Sequence, residues 1–422
     1  MISLLDANNF FVSCERAFRP DLINKPVAVL SNNDGCLISR SNEVKELGVP
    51  MGAPYFKYKK ILTDHHASVF SSNFALYGDM SSRMMTIIRS FVPKIEVYSI
   101  DEAFIDFSGI ENPEEFAQQI RKEIWRSLGL PVSIGVAPTK VLAKVAAHFS
   151  KKIKGFKSVC VLNDETRTDK ALQRLKVGEI WGVGKKTSLR LQRNGIVTAY
   201  DLKQTSPCWM RQNFSVVGER IARELNGISC LKIEDMKDPK KSIQVTRSFS
   251  KSITTFEDLD AAVASYASRL GSKLRENKLK ATSIGVFIRT NKHRLQDTQY
   301  VNGKSIALIC PLQDDISLIK LASQALQDIY REGLNYSKAG VIGLGLIPQD
   351  TTIQMDLFSS NSSEEHHSPK LWEAFDSLNQ RYGTGTVFAA ACGKSLRWRD
   401  KKDNVSPHYT TCWDDLPIAL AK

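Results

Sequence analysis

Three acidic residues stand where apolar, β-type runs end. Asp6 closes ISLLD, and Asp101-Glu102 sits inside IEVYSIDEAFIDFSG (Ile95–Gly109). Runs rich in β-branched and aromatic residues flank the dipeptide, which places it at or beside a hairpin turn. Two carboxylates there repel each other and add no stability; taken alone, such a pair is an ordinary solvated turn. Strand pairing that sets Asp6 beside the hairpin changes that reading. Three hard oxygen donors from adjacent strand ends suit Mg²⁺, which keeps several waters and binds a few carboxylates together with substrate phosphates. Two such ions about 3.5–4 Å apart activate an attacking hydroxyl and neutralise a leaving phosphate. The chemistry is phosphoryl transfer.

A second feature is the helix predicted over Thr139–Lys151, with Thr139 as N-cap. At 100° per residue Val141, Leu142, Val145, Ala146 and Phe149 share one face, while Lys140, Lys144 and Lys151 fall within about 40° of each other on the opposite one. The stripe reads as aimed away from the core, either solvated or, beside a metal site, contacting triphosphate or DNA backbone as point charges. A third is IWGVGKKTSLRLQRNGI (Ile180–Ile196), whose Gly182 and Gly184 permit close backbone approach. N–H groups at the following helix start, with Lys185 and Lys186, would then hold a phosphate without reading sequence.

The elements that must position these residues fall into segments. Residues 1–165 alternate strand and helix patterns, with candidate strands Ile2–Asp6, Pro26–Ser31, Glu96–Asp101, Ala103–Ser108, Pro131–Ala137 and Ser158–Leu162, which is an α/β sheet domain. Lys170–Ile228 is a small all-α unit, and KIEDMKDPKK (Lys232–Lys241) is an exposed linker. Ser242–Ile347 mixes strands (Ile284–Thr290, Ser305–Cys310) with amphipathic helices near Leu259–Arg275 and Ile316–Tyr330. In this segment Arg247, Lys251, Arg289, Lys292, His293 and Arg294 lie in or beside strands. Ser359–Pro369 reads as a flexible tether, and Leu371–Leu420 as a last ordered piece.

The 422 residues carry 58 Lys+Arg against 45 Asp+Glu, a net +13, which favours a polyanionic partner. With 42% hydrophobic and 24% charged residues the chain is not disordered overall. No apolar run reaches about 18 residues, so no membrane span is expected. MISLLDANNFF lacks the basic flank and cleavage site of a secretory signal, and eight cysteines without a C-x-x-C pair argue for reduced thiols. A cytoplasmic protein is expected.

LLDANNFFVSCE (Leu4–Glu15), NNDGCLISRSNEVKELGV (Asn32–Val49), YSIDEAF (Tyr98–Phe104) and SIGVAPTKVLAKVAAHFSKK (Ser133–Lys152), in this order, resemble the Y-family DNA polymerases. SPHYTTCWDDL (Ser406–Leu416) narrows the resemblance to the UmuC type, which catalyses error-prone translesion synthesis in the bacterial DNA-damage (SOS) response. The resemblance implies a multidomain α/β right-hand polymerase: a ferredoxin-like βαββαβ palm (1–19 and 76–165), small fingers (20–75), an all-α helix-hairpin-helix thumb (166–231), an α+β little finger (242–347), a clamp-binding peptide with tether (348–370) and a C-terminal extension (371–422). It implies that Asp6, Asp101, Glu102 and the Ala7 carbonyl hold two Mg²⁺ ions. It makes Phe11 a steric gate that leaves no room or hydrogen-bond partner for a ribose 2′-hydroxyl. Lys151 matches the family's triphosphate lysine. Asn42 and Lys45 stand where many members carry Tyr and Arg, so bidentate guanidinium contact is lost there.

Primer-template DNA and dNTPs follow as substrates, with DNA contacts at Lys140, Lys144, Gly182, Gly184, Lys185, Lys186, Arg247 and Arg289. Gln354-Met355-Asp356-Leu357-Phe358 resembles the peptide by which bacterial polymerases bind the β sliding clamp. The remaining implied partners are a processed UmuD-like dimer and RecA, with nucleoid association during activity. Two competitors stay open at this point: a catalytically inert DNA-binding subunit that kept the fold, and a nucleotide cyclase with a related palm.

Overall fold

The computed structural model describes residues 1–234, 239–351, 369–383, 385–393 and 402–418. The chain forms two compact units, one from residues 1–237 with 402–422 and one from 238–401. Among the described residues no helix is long and apolar enough to cross a membrane, and all eight cysteines are free thiols.

The first unit is organised on a five-stranded sheet in the order Ile95–Val97, Glu102–Asp106, Ile2–Ala7, Val132–Ala137, Val159–Val161. The first four of these strands, with helices Phe74–Phe91 and Pro113–Leu128, form the ferredoxin-like βαββαβ arrangement, with Ile2–Ala7 antiparallel to both its neighbours. Val132–Ala137 is buried at every position, as a strand covered on both faces must be. On one face Leu5, Ile105 and Ile134 pack with Met84 and Ile120 of the two helices. On the other, Leu4 and Phe104 meet Val141, Leu142 and Val145 of helix Lys140–Lys152. That helix presses directly onto the sheet at Gly135, where a Cβ would collide with the backbone of Ala143, Ala146 and Ala147.

The N-terminus of this helix is held twice. Thr139 caps it through the Leu142 N–H at 3.3 Å, and the buried carboxylate of Glu224, at the end of helix Pro207–Leu225, accepts from the Val141 N–H at 3.0 Å. Glu224 also accepts from the N–H groups of Cys230 and Leu231 at 2.8 and 2.9 Å. An anion at a helix N-terminus is favoured by the helix dipole as well as by these bonds. One side chain thus joins the α/β sheet to the α-helical segment formed by Glu165–Arg174, Lys185–Arg193, Ala199–Gln204 and Pro207–Leu225.

A three-stranded sheet in the order Leu37–Arg40, Val27–Leu30, Ser68–Ser71 carries its own small core of Ala28, Leu30, Leu37, Val44, Val49 and Leu62. Two of its strands were not among the expected ones. The strand expected over Glu96–Asp101 is shorter, ending at Val97, and the chain bends over 98–101 before Glu102 opens the next strand.

The second unit also runs βαββαβ, but its sheet order is Val301–Leu312, Leu279–Thr290, Tyr336–Leu344, Ser242–Ile253, so its first strand lies at an edge, whereas Ile2–Ala7 of the first unit is central. Helices Phe256–Glu276 and Asp315–Ile329 cover one face, with Leu259, Leu270 and Leu326 against Ile284, Val286 and Ile288.

The tail expected as one ordered piece over Leu371–Leu420 is divided. Helix Pro369–Tyr382 belongs to the second unit, where Arg275 takes both Asp376 oxygens (2.6 and 2.8 Å) while also binding the buried Asp315 at 2.7 Å. Residues 402–418 belong to the first unit, where Asn73 Nδ2 donates to the Ser406 and Pro407 carbonyls at 3.1 and 3.2 Å. The reason is polar pairing between distant side chains, which composition does not reveal.

Glu224→Ala leaves three N–H donors without their carboxylate. Urea unfolding is expected to show a loss of about 2–4 kcal/mol; an unchanged midpoint would remove Glu224 from this joining role.

Candidate active site

Strand pairing brings the three acids to one edge. Asp6 is the register partner of Glu102, and the Ala7 N–H donates to the Asp101 carbonyl at 2.9 Å. In the short turn, Ser99 Oγ donates to the Asp101 carboxylate at 2.5 Å and accepts the Asp101 N–H at 3.3 Å. The dipeptide therefore stands where the hairpin reading put it, with Asp101 in the turn and Glu102 as the first strand residue.

The lysine stripe corrects its expectation. It faces the acids, with Lys151 still exposed. Lys140 pairs with Glu96 at 2.5 Å, Lys144 with both Glu102 oxygens at 2.9 and 3.0 Å, and Lys151 with Asp6 at 2.5 Å. The Lys140 side chain is only 5% exposed, so the DNA contact expected of it has no accessible group. Lys144 is boxed further, its ammonium 4.5 Å from the Tyr98 ring centre and 5.6 Å from that of Trp181. Trp181 Nε1 donates to the Tyr98 hydroxyl at 3.0 Å, which ties the α-helical segment to the hairpin. The helical wheel gave the stripe's direction relative to its own core face; it could not show that strand ends lie beneath the other face.

Burial pushes the Asp6 carboxyl up to about 7, against the opposing effect of Lys151 and with help from Glu102. Its ionised form thus wants more positive charge than one ammonium supplies. Among the described residues no three His, Cys, Asp or Glu side chains converge as a metal cluster, and in this arrangement ammonium groups take the carboxylate oxygens of Asp6 and Glu102. The donor set is nevertheless the hard, all-oxygen kind that suits Mg²⁺.

Phe11 stands on helix Phe10–Phe18, its ring stacked on Tyr77 at 4.5 Å and 20°, with Phe74 edge-on at 6.2 Å. Tyr77 donates to the buried Glu15 at 2.6 Å. Asn42 and Lys45 lie on helix Asn42–Glu46 and meet at Asn9: Lys45 Nζ donates to Asn9 Oδ1 at 2.7 Å and to Asn42 Oδ1 at 3.2 Å. Burial, then the charges of Arg40 and Lys151, lower the Lys45 pKa. Arg40 donates to the Val49 carbonyl, while its buried Nε has no partner among the described residues. Lys45 thus feels the charges of Arg40, Lys151 and Asp6.

Gly182 has φ 90°, open to glycine, and Gly184 caps helix Lys185–Arg193, whose first residues Lys185 and Lys186 are exposed. In the second unit Arg247 is exposed on Ser242–Ile253, and Arg289 is the register partner of Lys338, both on the sheet face away from the helices. Burial and the Arg289 charge lower the Lys338 pKa, as like charges held side by side require. The peptide Gln354–Phe358 lies outside the described residues. Sequence reasoning missed Arg40, Glu96, Tyr98, Ser99, Trp181 and Lys338. Only Lys338 and Arg40 had a usable signal, a cation at an outward position of an alternating strand.

Comparison with known proteins agrees with this architecture. The impB/mucB/samB family model matches residues 5–148, its C-terminal domain matches 240–357, and a domain of unknown function matches 369–419. Protein UmuC of Salmonella typhimurium is 41% identical, covering 99% of each chain. Protein MucB of Escherichia coli is 39% identical over the full length of both, and DNA polymerase IV 1 of Bacillus subtilis is 27% identical over 94% of each. Among solved structures, a Y-family DNA polymerase chimera built on Dbh shares the fold at TM-score 0.69 and 22% identity, covering 82% of this chain and 100% of its own.

The raised Asp6 pKa carries a sign. A carboxyl near 7 in the folded state and 3.8 in the unfolded one binds its proton more tightly when folded. It stabilises at low pH, and that contribution fades as pH rises through 7. In metal-free protein Asp6→Asn is expected to flatten the decline of Tm between pH 5 and 8 and to exceed the parent by about 2 kcal/mol or more at pH 8; parallel Tm curves would refute the burial argument.

Proposed function

The chain belongs to the UmuC type of the impB/mucB/samB family of Y-family DNA polymerases, and on that premise we propose that it performs error-prone translesion synthesis in the DNA-damage (SOS) response by two-metal nucleotidyl transfer. It is a DNA-directed DNA polymerase. The observation that carries the mechanism is Asp6 paired in register with Glu102, next to Asp101 in its turn.

Asp6, Asp101, Glu102 and the Ala7 carbonyl are the residues to hold Mg²⁺. When bound, two such ions lower the pKa of an attacking hydroxyl and neutralise charge on the triphosphate. The chain's own groups do the rest. Lys151, Lys45 and Arg40 are cations available to non-bridging phosphate oxygens, with Asn42 as a hydrogen-bonding neighbour. Ser99 fixes the Asp101 carboxylate. Phe11, backed by the Tyr77 ring, presents an apolar edge to the sugar and offers a 2′-hydroxyl nothing to bond. Lys144 and Lys140 act as counter-charges that keep Glu102 and Glu96 in place, a role supported by their ion pairs.

DNA is gripped through its backbone. The N–H groups opening helix Lys185–Arg193 with Gly182, Gly184, Lys185 and Lys186, and Arg247, Arg289 and Lys338 on the second unit, offer charge without base readout. The domain assignment proposed is palm 1–19 with 76–165, fingers 20–75, thumb 166–231 and little finger 242–347. Gln354–Phe358 is proposed as the β-clamp peptide, and a processed UmuD-like dimer and RecA as partners in the cytoplasm, at the nucleoid when active.

Primer extension with Mg²⁺ and dNTPs on undamaged and abasic templates tests the reading. Asp101→Ala, folded and still binding DNA, is expected to lose at least about 10²-fold in rate, as removal of a charge-stabilising group does; extension at the parent rate would leave an inert DNA-binding subunit or another reaction. Phe11→Ala is expected to admit ribonucleotides about tenfold more readily, the scale of one lost steric and polar exclusion. Equal discrimination in both proteins would take the gate away from Phe11.

A further inference from the structure

The stacked pair Phe11–Tyr77 is built from two helices, and one short segment of the C-terminal tail touches both. Tyr77 donates to Glu15 Oε1 at 2.6 Å, and Ser406 Oγ donates to the same oxygen at 3.0 Å. Glu15 is fully buried, and its other oxygen has no partner among the described residues, so these two hydroxyls are the bonds the carboxyl receives from side chains. Asn73 caps helix Phe74–Phe91, accepting from the Leu76 N–H at 3.2 Å, while its Nδ2 donates to the Ser406 carbonyl and hydroxyl, both at 3.1 Å. Immediately before it, Ser71 donates its N–H to the Asn404 carbonyl at 2.8 Å, and the Asn404 N–H donates to Ser71 Oγ at 3.0 Å. Farther along, Tyr409 stacks on Phe18, the last residue of helix Phe10–Phe18, at 4.8 Å and 8°. The tail therefore grips the helix that carries Phe11 and Glu15, the start of the helix that carries Tyr77, and the hydrogen bond between Glu15 and Tyr77.

We propose that residues 404–409 are a strap that positions the Tyr77 ring behind Phe11, so that exclusion of ribonucleotides depends on the tail. Ser406 and Asn73 are positioning residues: neither reaches the nucleotide, and both act through Tyr77. This assigns a task to part of the segment matched as a domain of unknown function. The inference rests on the reading of Phe11 as the sugar gate.

The test measures kcat/KM for dNTP and rNTP insertion by the full chain. Ser406→Ala and, independently, Asn73→Ala are expected to lower the dNTP-over-rNTP ratio about fivefold, the scale of one buried hydrogen bond, chiefly by raising rNTP insertion. Ser406→Thr, which keeps the hydroxyl, is expected to stay within about twofold of the parent. A strap with only a structural role would depress both substrates equally and leave the ratio alone, and that result overturns the proposal. Phe11→Ala run in parallel separates the two claims. If it relaxes discrimination and the strap variants do not, the strap fails while the gate stands; if it too leaves discrimination unchanged, the gate reading itself fails and carries the strap with it.

Discussion

Three lysines on one helix meet three acids on three successive strands, and the arrangement of the first unit depends on it. Lys140, Lys144 and Lys151 pair with Glu96, Glu102 and Asp6, which belong to the neighbouring strands Ile95–Val97, Glu102–Asp106 and Ile2–Ala7. Along the helix the lysines are about 6 and 10 Å apart at 1.5 Å per residue, and strands lie about 4.8 Å apart. A helix running across the strand ends can satisfy all three, provided it lies close, and Gly135 removes the one side chain that would hold it off. Without these ammonium groups the acids would be partly buried like charges, a costly state. With them the site is electrically balanced yet made of groups that a divalent cation and a phosphate can recruit in new pairings. Asp6 shows how incomplete the balance is, since its carboxyl stays pushed up to about 7 with Lys151 in contact.

How much of this was legible follows from where each signal resides. The central strands announce themselves because a strand covered on both faces is a continuous apolar run, as VSIGVA is. The acid dipeptide is legible because a charge between two such runs must fall at the turn. Helix Lys140–Lys152 was legible in its periodicity, and its apolar face packs as the wheel says. What faced the other side was not, because pairing partners 42 to 145 positions away leave no local trace. The strand Ser242–Ile253 does alternate, with Ile243, Val245 and Phe249 buried, and period-2 reading could have found it. Tyr336–Leu344 is harder: Gly340 interrupts the pattern because the Phe287 and Thr246 side chains fill the room a Cβ would need.

The tail illustrates the same limit. Its composition, polar and Trp-containing, announces an ordered piece and nothing about its attachments. Two polar clasps decide them: Arg275 with Asp376 in one unit, and Asn73 with Ser406 in the other. Each clasp uses a buried or half-buried group whose bonding would be lost if the tail left, and each such loss costs more than the bond itself contributes. A segment held this way is part of the unit it touches.

The net charge of +13 looked like a statement about DNA. Its most ordered part turns inward instead. Lys140 and Lys144 are consumed by acids and rings, and Lys45 feels the charges of Arg40, Lys151 and Asp6. Burial first, and then the repulsion of Arg40 and Lys151, lowers the Lys45 pKa. On the proposed reading a triphosphate brings such a cluster several negative oxygens at once, which relieves that repulsion. Other cations lie elsewhere: Lys185, Lys186 and Arg247 are exposed, while Arg289 and Lys338 are half-buried register partners. The same residue type thus stands in two dielectric settings. Burial separates their roles, and charge count alone does not.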